Sequence, residues 1–407
     1  MVLGLDRVED ALAALGDPHR GLVYVHIAGS NGKGSTSAMV ESVARAAGLR
    51  TGLYTSPHLC RFAERIRIDG APIADEPFER ALGAVLDRCR ADLTFFESIT
   101  VAAFQAFREA KVDVVVLEVG LGGRLDATNV IERPVAAGVT SISLEHTAIL
   151  GETLDAIARE KAGIFKRGAP VVLGPLPEEA ERAATEMAIG VGAGPIVRVG
   201  KEIRVAFDGS ETTIEGPGEG ERVMVELRLA GAHQAENAGV AVGLLHPLAA
   251  RFPDRDWQRA RQEGLSRAEW PGRLERIERG GVTVILDGAH NPEGIERLAS
   301  TRLGDPAKMA LVFGALADKR WPEMLRRIAP VADRRYYAEP KGRAPAALDE
   351  MVKVAPGTMV ADPREAIRRA VAESAPGDCV LVAGSIYLVG EVRAELLGIE
   401  ADPVIAL

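Results

Sequence analysis

The chain has 407 residues, of which 47% are hydrophobic, 26% charged and 4% aromatic, with a formal net charge of −9 at pH 7. This length and apolar content suit a globular protein of two or three domains, while the negative balance excludes a global basic field for nucleic acid or anionic membrane and the few aromatics argue against a single-stranded nucleic-acid platform. Cys60, Cys89 and Cys379 are too few and too far apart for a disulfide framework or a zinc site, which points to a reducing cytoplasm.

Leu5, Val8, Leu12 and Leu15 recur at helical spacing, so residues 5–15 predict an amphipathic helix ended by Gly16-Asp17-Pro18, not a signal peptide. No apolar run approaches membrane-spanning length. Next, Val23-Tyr24-Val25-His26-Ile27 reads as a short buried strand, followed by Gly29-Ser30-Asn31-Gly32-Lys33-Gly34-Ser35-Thr36 and a helix running to about Ala47. Glycines at 29, 32 and 34 let the backbone turn tightly and aim N–H groups inward, and the helix N-terminus adds a positive dipole end. Lys33 can reach outer phosphates, and Ser35 or Thr36 a phosphate or its Mg²⁺. The spacing departs from G-x-x-x-x-G-K-[ST], because Ile27 stands where the first Gly belongs and Gly34 separates Lys33 from Ser35. The strand–helix context, the lysine and the hydroxyls favour a nucleotide site over an empty glycine turn.

Residues 49–54 predict a second strand, stopped by Thr55-Ser56-Pro57-His58-Leu59. Residues 61–70 alternate and carry three arginines, the pattern of a solvated edge strand. Helices are expected at 77–89 and from about 93 to 110; Phe95 and Phe96 open the second, either as core or as a flat wall for an aromatic ligand. Residues 112–119 form a continuous apolar run, as in a strand covered on both faces. Glu118 sits near its C-terminal end, before Gly120-Leu121-Gly122-Gly123-Arg124-Leu125-Asp126-Ala127-Thr128-Asn129. Ligands of open parallel sheets bind beyond the carboxyl ends of the strands. A carboxylate there, across from a phosphate loop, is a candidate Mg²⁺ ligand, and burying it alone would be costly.

A further strand at 134–142 leads to Glu145-His146, where His146 sits at a strand end as Glu118 does. Residues 153–166 predict a helix containing Lys161, which from its residues alone reads as a surface salt-bridging helix, and 170–173 one more strand. Strands and helices therefore alternate from 23 to 173, a doubly wound sheet. Between 197 and 229 short alternating segments and Gly-rich turns predict antiparallel hairpins. An alanine-rich helix starts near Gly231 and includes Asn237, a second helix follows, and Pro271-Gly272 is a candidate hinge. The βα pattern then restarts, with strands at 282–286, 309–313, 335–338 and 379–383, Asp287-Gly288-Ala289-His290-Asn291-Pro292 before a helix, and Gly384-Ser385 after the last strand. The fold class is α/β: an N-terminal P-loop doubly wound domain with a small antiparallel β insertion, residues 1–271, plus a smaller C-terminal α/β, Rossmann-like domain, residues 272–407.

The blocks at 26–35, 54–59, 117–129, 160–164, 271–273, 287–292 and 384–387, in this order, resemble the folylpolyglutamate synthase/dihydrofolate synthase family within the Mur-ligase-like superfamily. The most specific is Leu117-Glu118-Val119-Gly120-Leu121-Gly122-Gly123-Arg124-Leu125-Asp126-Ala127-Thr128-Asn129. The resemblance implies an ATP-dependent ligase that adds L-glutamate to dihydropteroate or reduced folate through an acyl phosphate. It implies ATP contacts at Asn31, Gly32, Lys33, Gly34, Ser35, Asn237, Arg273, Asp287 and His290. It also implies Mg²⁺, in two sites, on Ser56, Glu118, His146 and Lys161, the last as a carbamate; K⁺ is a further cofactor in the family. Pro57, His58, Phe95, Phe96, Arg124 and Ser385 would face the substrates, and Lys33, Lys161 and His290 would be the catalytic groups. The site would be complete only on domain closure. Glu145 departs from the pattern, since Asp commonly precedes the metal histidine. The expected partners are small molecules alone (pteroate or folate, L-glutamate, ATP), for a monomer without nucleic acid or membrane. Two alternatives share parts of this pattern: a peptidoglycan-precursor ligase of the same superfamily, and a P-loop NTPase acting as a switch.

Overall fold

The computed structural model describes residues 4–89, 92–218, 220–301, 303 and 307–403. The chain divides into two compact units: residues up to Pro57 together with Ala63–Glu269, and His58–Phe62 together with Trp270–Leu407. The division is not a single cut, because the short segment after Pro57 packs with the second unit.

The first unit is built on an eight-stranded sheet. Its strands are β1 (Tyr24–Ala28), β2 (Thr51–Tyr54), β3 (Ile66–Ile68), β4 (Ala71–Pro72), β5 (Val114–Glu118), β6 (Ala136–Val139), β7 (Val171–Leu173) and β8 (Ile196–Arg198). The order across the sheet is β4-β3-β2-β5-β1-β6-β7-β8. β1 lies between β5 and β6, parallel to both, with His26 opposite Leu117 and Ala137. Every residue of β1, β5 and β6 is buried, which explains why these strands read as continuous apolar runs. The antiparallel pair β3–β4 forms one edge.

The helix Lys33–Ala46 starts directly from the loop after β1 and buries everything from Ser35 to Ala44. The helix Phe95–Ala110 is started by a capping box: Thr94 Oγ1 accepts from the Glu97 amide, and the Glu97 carboxylate accepts from the Thr94 amide. Arg7 adds an ion pair to Glu97 at 2.5 Å, tying the first helix, Asp6–Ala14, to that cap.

Two expectations are corrected here. The arginine-bearing stretch from 61 to 70 is not a solvated strand: it begins as a 3₁₀ turn, Phe62–Arg65, and Arg65 is 0% exposed, its guanidinium carbon 5.2 Å from the centre of the Phe95 ring. The period-two pattern came from a turn running into a three-residue strand. The helix carrying Lys161, Leu154–Ala162, makes its salt bridges at half-buried Asp155, Arg159 and Glu160, whereas Lys161 is buried. The doubly wound pattern also runs one unit further than expected, through the helix Glu178–Val191 to β8.

The hairpin region forms a separate three-stranded antiparallel sheet of β9 (Arg204–Phe207), β10 (Glu211–Glu215) and β11 (Arg222–Glu226), in the order β11-β10-β9. The helix Ala232–Arg251 follows it. The second unit holds a six-stranded sheet of β12 (Glu275–Arg279), β13 (Val282–Leu286), β14 (Met309–Phe313), β15 (Arg334–Tyr337), β16 (Thr358–Met359) and β17 (Cys379–Ala383), in the order β12-β13-β17-β14-β15-β16. All its pairings are parallel except β12–β13. Each face of this sheet is covered by its own apolar cluster, one around Phe313 and Met324, the other around Val380 and Val389. No helix among the described residues is long and apolar enough to cross a membrane.

Candidate active site

The first unit gathers its chemistry at the carboxyl ends of β1, β5 and β6. The loop after β1 is pinned from the β6 side: the Asn31 amide donates to Ser141 Oγ at 2.9 Å, and the Thr140 and Ser141 hydroxyls both donate to the Asn31 carbonyl, at 2.7 and 3.0 Å. Gly32 has φ +86°, a left-handed conformation, and a Cβ there would stand 2.2 Å from Asn237 Oδ1. Only glycine fits both constraints. Asn237 is itself oriented by Gln234, whose Oε1 accepts from Asn237 Nδ2 at 3.0 Å. Both amides are buried. Gly34 and Ser35 lie in the first turn of the helix, Ser35 at 2% exposure.

Lys33 folds back on its own loop, donating to the carbonyls of Gly29 at 2.8 Å and Ser30 at 3.2 Å. Lys161 reaches the same Gly29 carbonyl at 2.9 Å and pairs with Glu145 Oε1 at 2.8 Å. Burial pulls the Lys161 ammonium down to about 8, against the opposing pull of Glu145. Burial alone would raise the Glu145 carboxyl, but Lys161 and Lys33 outweigh it and hold it at about 2; His146 acts in the same direction. His146 itself is exposed and left-handed, with φ +46°. Glu118 is buried at 5% exposure, and its Oε2 accepts from the Ser56 amide at 3.2 Å.

The remaining first-unit candidates are spread around this centre. Pro57 is exposed. Phe95 lies against Arg65, and Phe96 packs 6.2 Å from Tyr54, ring centre to ring centre. Arg124 is engaged elsewhere: its guanidinium bonds Glu160 at 2.9 Å on the surface, and its carbonyl accepts from Asn129 Nδ2. Its position thus has a structural reason independent of any substrate.

In the second unit, His58 packs edge-on against Phe62 at 5.0 Å. Asp287 is buried, which raises its carboxyl although Arg273 opposes this. Its two oxygens accept from the amides of Ala289 at 2.9 Å and Leu274 at 3.1 Å, so it knits the turn after β13 to the residue following Arg273. His290 Nδ1 donates to the Gly288 carbonyl at 2.9 Å. Ser385 is buried and caps the helix Ile386–Leu397 by accepting from the Tyr387 amide at 3.2 Å.

Sequence reasoning overlooked Thr140, Ser141 and Gln234. The first two could have been suspected from their place at the end of β6, beside β1; Gln234, one turn before Asn237 on a helix, carried no signal of its own. Glu145 was noticed only as a departure from a pattern, not as the partner of Lys161. Among the described residues no three His, Cys, Asp or Glu side chains converge as a metal site. The candidate donors here include a hydroxyl and a lysine, so such a cluster is not required.

These features define a two-unit P-loop protein of the Mur ligase type. Residues 27–245 match the Mur ligase middle domain and residues 272–386 the Mur ligase glutamate ligase domain. A dihydrofolate synthase/folylpolyglutamate synthase of Bacillus subtilis is 34% identical over 425 residues, covering 97% of this chain and 95% of that protein. The chain belongs to the folylpolyglutamate synthase/dihydrofolate synthase family. A probable bifunctional folylpolyglutamate synthase/dihydropteroate synthase of Haloferax volcanii is 39% identical over 96% of this chain, which spans 48%, about half, of that protein's length. A solved bifunctional folylpolyglutamate synthase/dihydrofolate synthase with Mn, AMPPNP and L-glutamate bound superposes with a TM-score of 0.86 at 33% identity, covering 98% of this chain and 95% of that one.

Proposed function

We propose that this chain uses ATP to join the amino group of L-glutamate to the carboxylate of dihydropteroate, of a reduced folate, or of both. The observation that carries the reading is the convergence of Lys33 and Lys161 on the carbonyl of Gly29, with Glu145 paired to Lys161, at the mouth of the glycine loop. In the proposed reaction the acceptor carboxylate attacks the γ-phosphorus of ATP. The bond to ADP breaks and an acyl phosphate forms. The glutamate amine then adds to the acyl carbon, loses its proton, and expels phosphate as the C–N bond is completed.

Two anions meet in the first step, so preorganised cations are the main requirement. Lys33 supplies one by moving from Gly29 and Ser30 to the phosphates. Asn31, Gly32, Gly34, Ser35 and Asn237 complete the first unit's nucleotide contacts. Arg273, Asp287 and His290 are the second unit's contribution, and Ser385 its substrate contact. A divalent ion fits the donors present: Glu118 and Ser56 are already joined, His146 offers a nitrogen, and Lys161 has a depressed pKa suited to the neutral amine that carbamate formation needs. When bound, Mg²⁺ there neutralises phosphate charge. Phe95 and Phe96 form the aromatic wall for the acceptor. The boundary between nucleotide and C-terminal domains is placed at 271/272, and the protein is read as a cytoplasmic monomer acting on small molecules. The net charge of −9 and the three widely spaced cysteines support that setting.

The test is ADP release with Mg-ATP and L-glutamate, comparing 7,8-dihydropteroate, tetrahydrofolate and a UDP-muramoyl substrate. Turnover with either of the first two supports the reading and tells the two activities apart. Turnover confined to the third, or ATP hydrolysis indifferent to any acceptor, overturns it.

A further inference from the structure

We infer that His26 and Thr128 are positioning residues for the acceptor side of the site, acting through Asp126 on the loop that follows β5. The inference rests on the proposed function for the identity of the acceptor, but its geometry stands apart from it. His26 is on β1, three residues before Gly29, and is 0% exposed. Its Nε2 lies 2.9 Å from Thr128 Oγ1. Thr128 Oγ1 lies 2.6 Å from Asp126 Oδ1, and the Thr128 amide reaches the same oxygen at 3.0 Å. Asp126 Oδ2 accepts from the amides of Gly120 at 3.1 Å and Leu121 at 2.9 Å. All three side chains are buried.

The direction of the chain follows from proton counting. Four donors converge on the Asp126 carboxylate, so it accepts throughout. Thr128 has one hydroxyl proton, which goes to Asp126. Its oxygen must then accept from His26, which makes Nε2 the protonated nitrogen and leaves Nδ1 bare. Nδ1 is buried and has no partner among the described residues. A buried acceptor without a donor is a cost that an apolar side chain in the same strand would avoid. The benefit on the other side of the ring is the donor that Thr128 needs.

What the relay holds is the Gly120 peptide. A Cβ at Gly120 would come 2.5 Å from the Phe96 ring and 3.3 Å from Asp126 Oδ2. The aromatic wall therefore rests on the peptide that Asp126 grips, two residues beyond Glu118. Through three side chains the strand that feeds the phosphate loop sets the height of that wall.

The test compares Thr128→Val, which keeps the shape and removes the hydroxyl, with Thr128→Ser, which keeps the hydroxyl, and with His26→Phe. The expected result is an acceptor KM raised about tenfold in Thr128→Val and His26→Phe. KM for ATP and the calorimetric affinity for ADP should stay within about twofold of wild type, and Thr128→Ser should behave as wild type. An unchanged acceptor KM in Thr128→Val, or equal losses toward acceptor and nucleotide, would overturn the inference. Nitrogen-15 shifts of the wild-type ring provide a readout independent of folding in the variants: a protonated Nε2 with bare Nδ1 supports the relay, and the opposite tautomer sinks it. Wild-type protein that turns over no pteroate or folate would defeat the proposed function, while the ring tautomer still decides the relay.

Discussion

Lys33 and Lys161 donate to one and the same acceptor, the carbonyl of Gly29, at 2.8 and 2.9 Å. Two ammonium groups share one oxygen because Glu145, held ionised, stands beside them. The first comes from the helix after β1 and the second from a helix more than a hundred residues later. The arrangement is a reservoir of positive charge at the mouth of the phosphate loop.

Replacing Lys33 with Ala should abolish nucleotide turnover, by about 10²-fold or more, the effect of removing one preorganised donor to a developing charge. Among the described residues Lys33 hydrogen-bonds only carbonyls of its own loop, so the thermal midpoint should barely move. ADP release and circular dichroism measure the two halves. A variant turning over near the wild-type rate would remove Lys33 from the site.

Lys161→Ala should lose activity and regain part of it with small carboxylic acids such as acetate or formate, which place an anion where the carbamate would stand. The measurement is ADP release against acid concentration. An unimpaired variant would contradict the assigned role.

Glu145→Gln leaves Lys161 buried without its carboxylate. Breaking a buried pair typically costs about 3–5 kcal/mol, and the low end, about 3 kcal/mol, is expected because Lys161 can shed its proton. The pH dependence has a definite sign. Glu145 drops from 4.5 to about 2 on folding, so its contribution is complete above 4.5 and disappears as pH falls toward 2. Wild type and variant should therefore converge in stability on acidification through that window. A gap that stays constant from neutral pH to pH 3 would disprove the pairing.

Gly32→Ala should weaken ADP binding more than it weakens the fold. The left-handed φ of +86° costs an alanine about 1 kcal/mol, and its Cβ would displace Asn237 Oδ1, 2.2 Å away. Calorimetric ADP affinity reduced by about tenfold or more is expected, which is the effect of about 1.4 kcal/mol at the loop. Unchanged affinity would mean that Asn237 and the loop relax at no cost.

The motif-bearing stretches and most of the alternation of strands and helices were readable from the chain. The phosphate loop, Glu118 at a strand end and the hairpins of the insertion all follow from local spacing and side-chain type. The failures share a cause. Arg65 read as solvated and Lys161 as a surface lysine because period and composition report what a residue is, not what lies on it. Arg65 is enclosed by Phe95, and Lys161 by Glu145 and Gly29, all distant in sequence. Gln234 and the link from His26 through Thr128 to Asp126 were invisible for the same reason.

Most of the elements, and the residues able to carry phosphate and acyl chemistry, follow from the order of amino acids, since turn chemistry, hydrophobic periodicity and charge are local properties. Folding in three dimensions set which lysines share an oxygen, which carboxylate stays ionised beside them, and which histidine is buried in the core. Those outcomes depend on desolvation and on a few ångströms of separation between residues far apart in the chain, and the order of amino acids does not state these distances.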